Sequence, residues 1–308
     1  MSGRAAAEAA IHDQTNLLPK SQLLVVFAAL ALSLLICFVD QNGVGVALPA
    51  IGRDLNAEAT VSWAGTSALI ANTVFQVLYG RLSDIFGKYE VNMYGAGRTL
   101  TNVGEGRKII FLSAIVLLSV SDLLCGLSTT STMLYICRGL AGVANGGITS
   151  LTMMIVSDTV SLKERGKYQG ILGACVGAGN MVGPFIAAAF VQHSTWRGLF
   201  WLVCPLAATC GGIAWWILPD NVPKRAFREG VKNIDFLGLA TGSAAIVLIL
   251  IPVSGGGTYF EWSSPMVIAM LAVGGTCAVA FFVIEHRVAL LPMMPCGYIR
   301  TGMHLRTS

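Results

Sequence analysis

Long apolar runs alternate with short polar connections along almost the whole chain. A window of about 20 residues, the length that an α-helix needs to cross the hydrocarbon of a bilayer, finds eight apolar segments, at 23–48, 61–80, 109–128, 131–157, 168–191, 198–218, 236–253 and 264–284. The first segment is longer than the apolar core of a secretory signal, and we expect it to remain as a span. The pattern therefore predicts an all-α polytopic membrane protein with about eight spans.

The stretch before the first span, residues 1–22, has no periodic apolar pattern. We therefore expect a disordered cytosolic tail there.

Basic residues indicate the orientation of the spans. Twelve Lys and Arg residues lie in the connections after the second, fourth and sixth spans, and only Arg53 and Arg197 lie in the connections between them. Short loops rich in Lys and Arg remain on the cytoplasmic side of a membrane. The count predicts a cytosolic N-terminus, in an integral protein for which we expect the plasma membrane.

The composition excludes several functional classes. Only 12% of the 308 residues are charged and 55% are hydrophobic, whereas soluble domains are about 25% charged. The net charge of +4 is small and interrupted by apolar runs, so we expect no nucleic-acid partner. The eight cysteines have no metal-ligand spacing and seven lie inside apolar runs, which is typical of small buried side chains. We expect no metal and no cofactor.

Enzyme motifs are missing from the sequence as well. It contains no zinc-protease pattern, no phosphate-binding loop and no Ser–His arrangement at the spacing of an active site. We therefore expect the protein not to be an enzyme, with no catalytic residues. A membrane-embedded enzyme is a less favoured alternative.

Three ionisable residues lie inside predicted spans, where a charge is costly and usually faces a partner or a watery cavity. Asp40, Asp122 and Arg138 lie about 12, 9 and 10 Å below the outer ends of their spans, at a rise of about 1.5 Å per residue. We expect Arg138 to pair with Asp40 or Asp122. The other carboxylate, partly removed from water, could then exchange a proton; a static ion pair that fixes helix packing is the alternative.

Small and polar residues recur at helical spacing in the spans. Small residues let helices approach closely in lipid, and polar side chains there can line a cavity or bridge two helices. The candidates for helix packing are Gly173, Gly177, Gly183 and Pro184 in the fifth span and Gly139, Gly142, Gly146 and Gly147 in the fourth, and the candidates for cavity lining are Asn72, Gln76 and Asn145.

Four stretches resemble signatures of a known family. They are Asp40 with Ala47-Leu48-Pro49 in the first span, Gly80-Arg81-Leu82-Ser83-Asp84-Ile85-Phe86-Gly87 after the second, Arg138 with Gly142 in the fourth, and the run ending Gly183-Pro184 in the fifth. Together they resemble the major facilitator superfamily, and specifically its fourteen-span drug:proton antiporter branch found in fungi. The first span departs from that branch at Asn42 and Gly45, and the fourth at Ala141.

The resemblance implies a transporter whose first bundle is the six helices of residues 23–218, followed by a cytosolic linker at 219–235, two further transmembrane helices at 236–284 and an atypical truncated tail at 285–308. It implies membrane lipid, protons and a small amphipathic organic substrate as partners. It implies proton-coupled efflux of drugs, toxins or secondary metabolites. A nutrient or siderophore importer of the same superfamily and a non-transporting membrane fragment are alternatives. It also implies a tight cytosolic turn between two glycines and a charged latch that biases the inward and outward states, with the residues Gly80, Arg81, Asp84, Gly87, Arg107 and Lys108.

Two segments depart from the family. Residues 88–106 separate Gly87 from Arg107-Lys108, which the family motif places next to each other. Because Gly87-Lys88-Tyr89 can be encoded with a GTAAGT splice donor, we expect a retained intron, with a genuine loop insertion as the alternative. Residues 296–308 have no apolar pattern where the family continues into its second bundle, and we expect truncation or mis-splicing there.

Overall fold

The computed structural model describes residues 20–87, 105–160, 162–217, 236–257 and 260–287. These residues form eight α-helices: α1 (Lys20–Asp54), α2 (Trp63–Gly87), α3 (Glu105–Gly126), α4 (Ser131–Thr159), α5 (Leu162–His193), α6 (Arg197–Ile217), α7 (Phe236–Gly255) and α8 (Pro265–Arg287). The predicted all-α architecture of six helices plus two is confirmed. The predicted tails and linker, and residues 88–104 of the predicted insertion, lie outside the described residues.

Six helices in the described part of the chain are long and apolar enough to cross a membrane. The corresponding spans are Leu23–Asp54, Lys108–Gly126, Ser131–Ser157, Lys163–His193, Arg197–Ile217 and Pro265–Ile284. Helix α2 is long enough, but Asn72, Thr73 and Gln76 lower the hydropathy of its middle. The apolar part of α7, Ala240–Gly255, is shorter.

Two helices extend further than their apolar runs. Helix α1 continues through Pro49 to Asp54, and α5 begins at Leu162, six residues before the predicted span. A hydropathy window detects only the part of a helix that suits hydrocarbon. The charged residues at the start of α5, among them Lys163, Glu164 and Arg165, are good helix formers and continue it beyond that part.

The prediction of a tight turn between Gly80 and Gly87 is wrong. Both residues lie in α2, which runs without interruption from Trp63 to Gly87. The six residues between the two glycines include no proline, so nothing in them interrupts the helix. A Cβ built on Gly80 would lie 3.4 Å from Ser150 Oγ and 3.4 Å from the terminal methyl of Met154 on α4. Gly80 therefore lies at a helix contact.

The first compact unit, residues 1–224, contains α1 to α6, and close backbone contacts organise it. Helix α4 packs on α2, where a Cβ on Gly142 would overlap the backbone of Ala68 and one on Gly146 would lie 2.6 Å from the carbonyl oxygen of Asn72. Without a hydrophobic force between helices in lipid, such glycine contacts supply much of the packing.

Helix α1 packs on α5 in the same way. A Cβ on Gly183 would lie 2.7 Å from the carbonyl oxygen of Val39, and one on Gly179 would lie 2.8 Å from Cβ of Phe38. Helices α3 and α6 complete the unit by packing on each other, with α3 also against α4 and α6 against α1. In contrast, a Cβ on Gly173 or Gly177 would meet no atom of the described residues within 4 Å.

The second compact unit, residues 225–308, contains α7 and α8, which pack on each other. A Cβ on Gly274 of α8 would lie 2.8 Å from Ile249 of α7. The connection between them turns at Gly257, whose φ of +80° favours glycine. The amide of Gly257 donates to the carbonyl of Phe260 at 2.9 Å, which closes the turn.

Candidate functional site: a buried charge cluster

Three helices bring ionisable side chains together inside the first unit. Asp40 of α1, Asp122 of α3 and Arg138 of α4 are 0%, 0% and 1% exposed. We call these three residues the charge cluster. Arg138 is the largest of the fully buried side chains in the described residues. A side chain of this kind is rarely buried without a partner.

The guanidinium of Arg138 contacts the two carboxylates unequally. Its Nη1 donates to Asp40 Oδ1 at 2.7 Å, which is the length of a strong charge-assisted hydrogen bond. The same Nη1 lies 3.8 Å from Asp122 Oδ1, which is too far for a hydrogen bond. Of the two partners that the sequence left open for Arg138, the structure therefore brings Asp40 into direct contact.

Asn145 completes the surroundings of Asp40. It lies seven residues after Arg138, two turns along the same face of α4, and its Nδ2 donates to Asp40 Oδ2 at 3.2 Å. Cys37, one turn before Asp40 on α1, donates its thiol to Asn145 Oδ1 at 2.7 Å. Both oxygens of Asp40 therefore have donors, and the amide that serves the second oxygen is itself held in place.

Asp122 lacks such partners. Neither of its carboxyl oxygens has a hydrogen-bond partner among the described residues, although both are buried. Arg138 Nε is likewise buried without an acceptor there, and the guanidinium carbon lies 5.7 Å from the centroid of the Phe200 ring on α6. The aromatic face adds a weak attraction for the cation, but it offers nothing to the carboxyl group of Asp122.

The cluster has an unbalanced charge. One guanidinium faces two carboxylates, so the three groups carry a net charge of −1 if all of them are ionised. Burying an uncompensated charge is expensive, and a carboxyl group avoids the cost by binding a proton. Asp40 accepts hydrogen bonds from Arg138 and Asn145. The arrangement can therefore hold one exchangeable proton, and Asp122 is the carboxyl group of the cluster that has no hydrogen-bond donor among the described residues.

A second ion pair lies at the end of α1. It includes Arg197, for which the sequence predicts only a position in a connection between spans. Arg197 Nη1 donates to Asp54 Oδ2 at 2.6 Å, and Trp196 Nε1 donates to the same oxygen at 3.0 Å. Arg197 Nη2 also donates to the carbonyl of Ser128 at 3.0 Å. We call these four residues the terminal cluster. It joins the end of α1 to the α3–α4 and α5–α6 connections.

The remaining predicted cavity residues lie in different settings. Asn145 was predicted to line a cavity, but it is 1% exposed and belongs to the surroundings of Asp40. Asn72 is half-buried, and its Oδ1 is a buried atom without a partner in the described residues. Gln76 is exposed. The i, i+4 spacing of these two residues on α2 therefore does not give them the same environment.

The predicted latch residues are only partly described. Lys108 is buried at the start of α3, with its Nζ 5.6 Å from the centroid of the Trp215 ring on α6. The side chains of Arg81, Asp84 and Arg107 lie outside what the structure describes. Among the described residues, seven cysteines are free, and no group of three or more His, Cys, Asp or Glu is placed to hold a metal.

Ionisable side chains that meet inside a bundle of apolar helices mark a candidate functional site in a membrane protein. Residues 30–284 match the family model of the Major Facilitator Superfamily. The chain belongs to this superfamily of membrane proteins.

Three relatives illustrate the similarity. Citrate exporter 1 of Yarrowia lipolytica is 53% identical over 285 residues, which cover 92% of this chain and 40% of that protein. The MFS-type transporter clz4 of Cochliobolus lunatus is 41% identical, covering 93% of this chain and 48% of the relative. The efflux pump dotC of Dothistroma septosporum is 32% identical, covering 90% and 44%. The chain spans less than half the length of each of these relatives.

Proposed function

We propose that the protein is a proton-coupled exporter of small organic molecules, with Asp122 as the residue that gains and loses the proton. The observation that carries this proposal is the unequal contact of Arg138 with the two buried carboxylates, 2.7 Å to Asp40 and 3.8 Å to Asp122. The distribution of Lys and Arg supports a cytosolic N-terminus, and we propose the plasma membrane as the location of the transporter. The fourteen-span branch is part of the same proposal.

The proton changes the forces between three helices. With Asp122 protonated, the cluster is neutral and Arg138 is committed to Asp40. With Asp122 ionised, the guanidinium is drawn toward two carboxylates on different helices, α1 and α3. A ligand shifts a conformational equilibrium only through different interactions with the two states. The proton at Asp122 supplies such a difference at the place where α1, α3 and α4 meet.

The transported compound is proposed from the relatives. One is named an efflux pump and another a citrate exporter. The first name agrees with outward transport, and the amphipathic organic substrate is our proposal from the family resemblance. The second relative has the greater identity to this chain, 53% against 32%, and this difference favours a carboxylate-bearing substrate such as citrate as the second candidate.

Proteoliposomes provide the test. The protein expressed from its native message would be reconstituted with a pH-sensitive dye inside, and proton movement would be followed when citrate or an amphipathic dye is added. We expect wild-type protein to move protons together with one of these substrates. Asp122→Asn should remove the coupled proton movement, because an amide cannot exchange a proton, while Asp54→Asn serves as a control outside the charge cluster. Coupled proton movement that survives Asp122→Asn would contradict the proposal.

The native message must be sequenced first. Alternating access in this class of transporter involves two bundles around a central site, and the proposed activity is that of the protein in which this bundle has its partner. Sequencing across codons 80–110 and past codon 295 tests both departures from the family, residues 88–106 and residues 296–308. Loss of codons 88–106 and continuation beyond codon 295 would support the retained intron and the exporter. A message identical to the present sequence would favour the non-transporting fragment.

A further inference from the structure

A pair of carboxamides lies on an exposed edge where α1 and α5 meet. Asn42 Nδ2 donates to Asn180 Oδ1 at 2.7 Å, and it also donates to the carbonyl of Phe38 one turn earlier at 3.0 Å. Both N–H groups of Asn42 are therefore used. This leaves Asn42 Oδ1 as an acceptor and the two N–H groups of Asn180 as donors, without hydrogen-bond partners in the described part of the chain.

The pair lies within both membrane-spanning helices. Asn42 lies 12 residues before Asp54, the end of α1, and Asn180 lies 13 residues before His193, the end of α5. At about 1.5 Å per residue, these separations place the two amides at similar levels, about 18 and 20 Å from the ends of their helices. Polar groups inside a span are costly unless they find partners.

The packing of α1 on α5 includes close backbone contacts besides the amide pair. The two backbones already meet at Gly183, where a Cβ would lie 2.7 Å from the carbonyl oxygen of Val39, and at Gly43, where a Cβ would lie 3.2 Å from the carbonyl oxygen of Gly183. An amide that served only as a bridge would be expected between the helices. The hydrogen bond between Asn42 and Asn180 is instead exposed.

The surface beside the pair is open. Gly45 lies one turn after Asn42, and Gly177 lies one turn before Asn180; both are exposed, and a Cβ on either would meet no atom of the described residues within 4 Å. A ligand could therefore approach the two amides without displacing a side chain from the adjacent turn of either helix.

We propose that Asn42 and Asn180 form a binding subsite for a small hydroxycarboxylate. The two N–H groups of Asn180 would donate to a carboxylate or carbonyl oxygen, and Asn42 Oδ1 would accept from a neighbouring hydroxyl group. Because both side chains are neutral, the subsite recognises the substrate by hydrogen-bond direction. This inference rests on the proposed export of small organic molecules and names the substrate class for it.

The decisive variant is Asn180→Asp. A carboxylate at this position can still accept the hydrogen bond from Asn42, so a merely structural bridge would survive. It would, however, replace two donors by acceptors and repel a carboxylate ligand. We expect the KM for citrate in proteoliposomes to rise at least tenfold, with the number of protons moved per citrate unchanged. The control is Thr209→Val, which removes a hydroxyl whose hydrogen bond is to its own helix. A wild-type KM in Asn180→Asp would overturn the proposal.

A second measurement does not require transport. Asn180→Cys would be treated with a water-soluble maleimide, with labelling compared with the parent protein and with Trp216→Cys, since Trp216 is 90% exposed on α6. We expect labelling of Asn180→Cys that citrate slows at least fivefold, and no effect of citrate at position 216. Absence of labelling at position 180, or labelling that citrate does not slow, would overturn the subsite.

The two experiments separate the subsite from the proposed function. If citrate protects Asn180→Cys but wild-type protein moves no protons with any substrate, the subsite stands and proton-coupled export fails. If coupled transport is measured but Asn180→Asp has an unchanged KM and citrate gives no protection, export stands and the subsite fails.

Discussion

Helix α1 carries two aspartates, each paired with an arginine at nearly the same distance. Asp40 lies 2.7 Å from Arg138, and Asp54 lies 2.6 Å from Arg197. The first pair is 0% and 1% exposed, whereas the second is 47% and 25% exposed. An exposed pair is weakened by water and salt, while breaking a buried pair leaves a charge without compensation. Two ion pairs with nearly equal distances therefore contribute very differently to the folding free energy.

The pairs also differ in what surrounds them. In the terminal cluster, Arg197 contacts Asp54, the carbonyl of Ser128 and, at 4.2 Å, the ring of Trp196, so its contacts hold three segments together. In the charge cluster, a second carboxylate, Asp122, competes for the same guanidinium. The charge cluster has one carboxylate more than its guanidinium can pair with, so the proposed proton coupling is located there. The contacts of Arg197 with three segments support a structural role for the terminal cluster.

The largest expected difference comes from removing each arginine. Arg138→Met would leave two buried carboxylates facing each other, at a cost of about 3–5 kcal/mol in folding free energy. Arg197→Met would cost about 1 kcal/mol or less. Size-exclusion profiles and thermal unfolding in detergent would measure both variants. Similar losses of folding free energy in the two variants would mean that burial does not make one ion pair more important for stability than the other.

A backbone contact beside Asp40 gives the next largest effect. In Gly183→Ala, the new methyl would meet the carbonyl of Val39, so α5 would have to move away from α1; we expect a loss of about 2–3 kcal/mol and weaker proton coupling. Gly177→Ala is the matched control on the same helix, because its methyl would meet none of the described residues. Equal midpoints of thermal unfolding for the two variants would argue against tight packing beside Asp40.

Asn145→Ala would remove the donor to Asp40 Oδ2 and leave the Cys37 thiol without its side-chain acceptor. We expect a loss of about 1–2 kcal/mol and a changed pH dependence of transport, because a carboxylate of the charge cluster would lose one of its two hydrogen-bond donors. The matched control for stability is Asn180→Ala, in which the asparagine lost is exposed. A pH profile of transport that is unchanged in Asn145→Ala would limit Asn145 to a packing role.

We expect a change in salt concentration to have the smallest effect, which is on the coupling energies of the two ion pairs. At about 1 M salt, charges interact over only about 3 Å in water, whereas buried pairs are screened much less. Double-mutant cycles at low and high salt would measure the coupling energy of each pair. We expect the coupling of Asp54 with Arg197 to fall toward zero and that of Asp40 with Arg138 to remain. Loss of both would show that water reaches the charge cluster.

The sequence predicted the helices and the depth of the charges for clear physical reasons. Apolar runs of sufficient length can only form helices in lipid, and a fixed rise per residue converts position into depth. The similar depths of Asp40, Asp122 and Arg138 could therefore be predicted by counting residues from the ends of their spans. Depth does not determine rotation about the helix axis, so the choice between the two aspartates needed side-chain positions.

Other features could not be read from local patterns. Asn145 looked like a cavity residue because a polar side chain in a span suits either a cavity or a buried network, and only its neighbours on α1 distinguish the two. The sequence did not predict that Gly80–Gly87 is helical, because glycines that permit a turn also permit close packing of helices. The bond between Asn42 and Asn180 joins residues 138 positions apart, and no single-helix pattern predicts it.

Infrared spectroscopy of the protein in lipid tests the central claim most directly, because a protonated carboxyl group has a carbonyl band that a carboxylate lacks. We predict such a band near neutral pH, lost in Asp122→Asn and retained in Asp54→Asn, since Asp122 is the carboxyl group in the described residues that is buried without a hydrogen-bond partner. A spectrum that is the same in wild-type protein and Asp122→Asn would contradict the assignment of the proton to Asp122.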